Sequence, residues 1–154
     1  MGNNDWQDRL RAAFESIGIL EKCKHETAEN FKQFCEFIAE PAFEVLGEEL
    51  KAYGVRAKTW SVRGRSISLR LSSRGPQLDG FDYTISLPRN AVEMKLRLSL
   101  RARRTPKGPL KQKDEIFMAG VPSDRVMKIT KEELIADIIE RYKDVTLEML
   151  TSAD

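Results

Sequence analysis

Residues 93–104, EMKLRLSLRARR, alternate almost without a break, and this limits the fold more than any other feature of the chain. Met94, Leu96, Leu98, Leu100 and Ala102 fall on one side of an extended backbone. Glu93, Lys95, Arg97, Ser99, Arg101 and Arg103 fall on the other. Side chains of a strand alternate with a period of two, so the segment predicts a strand with one dry face and one cationic face. A helix would scatter the same arginines around its circumference.

Two earlier segments repeat the pattern. In SISLRLS, Ile67, Leu69 and Leu71 point one way, and Ser66, Ser68, Arg70 and Ser72 the other. In FDYTISL, Phe81, Tyr83, Ile85 and Leu87 oppose Asp82, Thr84 and Ser86. Strands are predicted over 55–63, 65–73, 80–88 and 91–104, with turns at 63–64, 73–80 and 88–90. Links this short join antiparallel neighbours, and a single apolar face calls for helices on that side only. In RRTPKGPLKQK, Pro106, Gly108 and Pro109 oppose a ladder, so residues 104–113 are predicted to form an exposed basic loop. Short strands near 115–119 and 125–129 are expected beyond it.

Helical periodicity flanks the strands. Asp5 suits the N-cap of WQDRLRAAFESI, where Trp6, Leu10, Ala13, Phe14 and Ile17 share a face and Gly18 reads as a stop. A second pattern starts at Thr27, read as an N-cap, and carries Phe31, Phe34, Cys35, Ile38, Ala42, Val45, Leu46, Leu50 and Tyr53. Pro41 interrupts it without losing phase, which predicts a kink or two helices meeting at 39–41, and Gly54 ends it. Thr130 and Glu133 form a capping box before a helix with Leu134, Ile135, Ile138, Ile139, Tyr142, Val145 and Met149 on one face. The expected fold is one α+β domain over 1–154: helices in 1–54, a four- to five-stranded antiparallel meander in 55–129, and a C-terminal helix in 130–151. The N-terminal and C-terminal helices pack on one face of the sheet.

The net charge of +2 conceals a strong asymmetry. Residues 1–54 hold 6 Lys/Arg against 11 Asp/Glu, residues 55–113 hold 15 against 3, and residues 114–154 hold 5 against 10. The segments therefore carry −5, +12 and −5. No apolar run reaches the roughly 18 residues of a membrane span, and the N-terminus lacks a basic-then-apolar leader pattern. A cytoplasmic protein with Cys23 and Cys35 as reduced thiols is expected, with no membrane partner.

Chemistry-bearing motifs are sparse. His25 is the single histidine, and its spacing from Cys23 and Cys35 matches no zinc knuckle. No nucleophile elbow, phosphate loop or zinc-protease motif occurs. Asp79 and Asp82 read as turn carboxylates. No enzyme activity, metal or cofactor is expected. The candidate site is the cationic strip Arg70, Lys95, Arg97, Arg101, Arg103, Arg104, Lys107, Lys111 and Lys113, interspersed with hydroxyls. It points to a non-catalytic interaction or accessory module that binds an acidic protein or a second copy of itself (a homo-oligomer). The alternative is a sequence-independent binder of nucleic-acid backbone, since only Trp60 is expected as an aromatic on that face.

Overall fold

The structure is a computed structural model and describes residues 5–73 and 80–152. Five strands form one antiparallel meander in the order β1-β2-β3-β4-β5: β1 Val55–Val62, β2 Ser66–Ser73, β3 Phe81–Ser86, β4 Arg97–Arg103 and β5 Leu110–Ile116. Hydrophobic alternation sets the register. Ile67 faces Ile85, which faces Leu98, and Leu69 faces Tyr83, which faces Leu100. All six are buried. Gly64 takes φ 73° in the β1–β2 turn, a left-handed conformation natural to glycine.

Helices cover the apolar face alone. α1 (Asp5–Phe34), a π turn (Cys35–Ala39) and α2 (Glu40–Leu50) make one unbroken helical run, and α3 (Lys131–Leu150) closes the layer. The π turn has a local cause. Pro41 has no N–H to give, and its ring crowds the carbonyl four residues back, so the preceding turn widens and the Glu40 N–H donates to the Cys35 carbonyl. The Pro41 interruption is thus absorbed within a continuous helix. Three edge-on aromatic pairs bind the layers: Phe34 with Phe117, Phe43 with Tyr83, and Phe81 with Tyr142, at centroid distances of 5.7, 6.5 and 5.6 Å. Thr130 caps α3 as its sequence requires, accepting from the Glu133 N–H at 3.1 Å.

Several sequence expectations are corrected. Gly18 does not stop α1, because no left-handed residue follows to turn the chain out of the helix. Thr27 is buried in the middle of α1 and caps nothing. Val45 is exposed, since the π turn shifts the apolar face by one residue past it, and Tyr53 is exposed in the 3₁₀ turn (Lys51–Tyr53) that ends the run. Residues 88–96 form an irregular connection, with Asn90 at φ 60°, and β4 begins only at Arg97. β5 starts at Leu110, so the β4–β5 connection is shorter than the predicted loop and Lys111 and Lys113 belong to a strand. Residues 123–128 form a short 3₁₀ helix where a strand was expected. Most of the predicted 73–80 turn, with Asp79, lies outside the described residues.

The central ladder predicts a large cost for opening a hole in it. Leu98→Ala should lose about 2–5 kcal/mol in urea unfolding. A near-neutral result would show that the arginine row, and not the leucine row, faces the helices.

Candidate interaction surface

Directly paired residues of an antiparallel ladder point to the same face, so the register assigns the second face row by row. One row runs Lys58, Arg70, Asp82, Arg101 and Gln112. The next runs Trp60, Ser68, Thr84, Ser99 and Asp114. A third runs Val62, Ser66, Ser86, Arg97 and Ile116. Arg56 with Ser72, and Arg103 with Leu110, complete the face.

Within it the side chains are organised. Arg70 meets Asp82 through two parallel hydrogen bonds, Nε to Oδ1 at 2.7 Å and Nη2 to Oδ2 at 2.9 Å. This fork-to-fork contact holds the Arg70 guanidinium even more firmly protonated than usual. The same guanidinium lies 5.1 Å from the centroid of the Trp60 ring, within cation–π range. Ser68 and Thr84 share a 2.8 Å hydrogen bond. Ser99 and Gln112 both donate to Asp114, at 2.6 and 3.0 Å, and with Arg97 nearby they hold its carboxyl below the ordinary range.

The predicted basic strip divides between the two faces. Arg70, Arg97, Arg101 and Arg103 share the helix-free face, with Arg97 and Arg101 exposed. Lys95 is exposed just before β4 and lines, with Arg97, Asp114 and Ile116, a shallow cleft of about 540 Å³. Arg103 folds back so that Nη1 donates to the Gly108 carbonyl at 2.6 Å, bracing the turn that exposes Lys107. Arg104 leaves the strip for Glu148 of α3, at 3.2 Å. Lys111 pairs with Ala102 and Lys113 with Leu100, so both lie on the helix side, and Lys113 approaches Glu115 at 3.7 Å.

On that helix side lies a polar chain that alternation alone does not reveal. The buried Tyr83 hydroxyl donates to Asp137 at 2.6 Å. Arg141 sits 3.7 Å from Asp137 and also bridges to Glu115 on β5. The i, i+4 spacing of Asp137 and Arg141 was the available signal; the tyrosine's role was hidden by its place in an apolar row. Burial pushes the Tyr83 phenol well up, and the Asp137 carboxylate adds to the shift. The thiols lie apart: Cys23 and Cys35 are twelve positions apart on one helical run, about 18 Å along its axis, too far to bridge or to share an ion. Burial also raises the Cys35 thiol to about 12.

No family model, curated protein or solved structure matches this chain. The fold itself supplies the class: a mixed α+β protein with a five-stranded antiparallel meander and a one-sided helical layer. Among the described residues, no helix is long and apolar enough to cross a membrane.

Burial of Tyr83, with the Asp137 carboxylate against its hydroxyl, sets the alkaline behaviour. The folded phenol ionises above its unfolded value of about 10, so this contribution is complete below that pH and fades as pH rises through the folded value. Ultraviolet titration should therefore show Tyr83 ionising only as the protein unfolds. Tyr83→Phe should cost about 1–3 kcal/mol and remove that component.

Proposed function

We propose that the protein is a non-catalytic interaction module of the cytosol that seats an acidic protein segment on the helix-free face of its sheet. One observation carries this reading. Six cations, Arg56, Lys58, Arg70, Arg97, Arg101 and Arg103, share that face with two strand carboxylates, Asp82 and Asp114. Asp82 is committed to Arg70, which leaves Lys58, Arg97 and Arg101 exposed to attract an anion. The acidic thirds of the chain build the helices on the other side, so a short acidic segment along the rows avoids their repulsion.

A second reading, binding of nucleic-acid backbone, is favoured by the exposed Lys58, Arg97 and Arg101 with the Trp60 ring on the same face, the hydroxyls of Ser68, Thr84 and Ser99 being engaged within the face itself. Arg70 already stacks on that ring, which weighs against base stacking.

Titration with a polyglutamate peptide at several salt concentrations tests the proposal. Binding should weaken as salt rises, and Arg97→Gln with Arg101→Gln should reduce it on the order of tenfold. Lys111→Gln with Lys113→Gln, on the other face, should leave it unchanged. Absence of binding at low salt would sink the first reading. Tighter binding to duplex DNA, with a log–log salt slope of about −5 that the arginine pair flattens by about 2, would establish the second.

A further inference from the structure

The first half of α1 stands clear of the domain. Residues 5–22 are all exposed, yet Trp6, Leu10, Ala13, Ile17 and Leu20 recur at alternating steps of four and three, with Phe14 alongside. The same phase runs on through Lys24 to Thr27, Phe31 and Phe34, which the domain buries. One continuous stripe is thus covered over its second half and bare over its first. Ile17 is 48% exposed and Phe14 66%. Steps of this kind form a coiled-coil seam, and a helix draws most of its stability from packing such a face. Gly18, with nothing within 4 Å of where a Cβ would stand, weakens the unsupported half further.

We infer that α1 of a second copy packs antiparallel along residues 5–24 and makes the protein a two-fold dimer. The bare stripe amounts to on the order of 500 Å² per chain, so a pair buries about 1,000 Å², at the lower bound of a specific interface. A parallel pair is the poorer fit, because it would bring two domains together at the end where, from Thr27 onward, each chain's own domain already covers the stripe. The antiparallel register that covers the whole stripe sets Leu10 against Leu20 of the second copy, Ala13 against Ile17, and Trp6 against Lys24. Large residues then meet small or aliphatic ones, and the Lys24 stem and charge meet an indole. The incoming Asp5 stops beside His25, just short of the domain. There a cleft of about 430 Å³ is lined by Lys24, Arg65 and Arg89 and by no carboxylate. The arriving first turn carries Asp5 and Asp8. In the single chain these pair with Arg9 and Arg11 at 3.2 and 3.8 Å, exposed contacts that exchange readily. A membrane surface is the poorer occupant, because residues 5–26 hold five acidic and four basic side chains where an interfacial helix is rich in Lys and Arg. The pairing leaves the helix-free sheet face open, so it stands or falls separately from the proposed function.

Light scattering on the full chain should give twice the 17.6 kDa monomer mass, and Leu10→Glu with Ile17→Glu, both on exposed positions, should give the monomer mass with reduced helix content. Orientation is read with Arg9→Cys and a short bis-maleimide. In the antiparallel pair, position 9 lies within one turn of the native Cys23 of the second copy on the same flank of the seam, whereas equivalent positions are about 18 Å apart along the axis. Arg9→Cys should therefore cross-link, and Arg9→Cys with Cys23→Ser should not. A wild type that stays monomeric at about 100 µM would overturn the inference. So would a dimer that survives the glutamate pair, cross-linking that survives Cys23→Ser, or a monomer recruited to phosphatidylcholine–phosphatidylglycerol vesicles.

Discussion

A slip of one residue in the β3–β4 ladder would put Arg97 and Arg101 against the helices and leave Leu98 and Leu100 in water. The rest of the structure depends on that slip being forbidden. The rows Ile67–Ile85–Leu98 and Leu69–Tyr83–Leu100 are the floor on which α2 and α3 rest. Their register also assembles Arg70, Asp82 and Arg101 into one row on the opposite side. Each ladder enforces its neighbour, because β3 is shared and its inward side chains Phe81, Tyr83 and Ile85 are all fully buried.

Covering the sheet with one helical run requires the buried face of the run to stay turned toward it along its whole length. The π turn at Cys35–Ala39 supplies that adjustment at the point where Pro41 removes a hydrogen bond. Phe34, before the turn, packs on Phe117, and Phe43, after it, packs on Tyr83. The local defect and the tertiary fit share one cause. The same adjustment carries Val45 out of the core.

Charge is sorted by the layers. The basic middle third becomes the sheet, and its outward cations stay in water or take a carboxylate within the face, as Arg70 does with Asp82. Cations with inward parity find acids of the helical side, as Arg104 does with Glu148 and Lys113 with Glu115. A strip that looks continuous along the chain is therefore two surfaces of different character, and the arginines of β4 dominate the accessible one. Charged side chains on β5 also guard an edge strand against pairing with another sheet.

What the chain's own letters determined was whatever depends on neighbours a few residues away. The alternation of β2, β3 and β4, the N-cap at Thr130 and the end of the helical run at Gly54 are local events, and all were legible. So were the one-sided helical layer and the place of Trp60 on the helix-free face, because period two allows few other arrangements. The tertiary structure alone decided the rest. LKQKDEI has no apolar rhythm, and it is a strand because the edge of β4 offers it a ladder. That pairing, set by the length of the preceding turn, moved Lys111 and Lys113 off the cationic face. Asp82 became the partner of Arg70, and Asp137 that of Tyr83, through contacts between elements far apart in the chain. Gly18 remained helical because a glycine ends a helix only when the chain has somewhere else to go. A period can be read from one segment, but a partner requires the position of another.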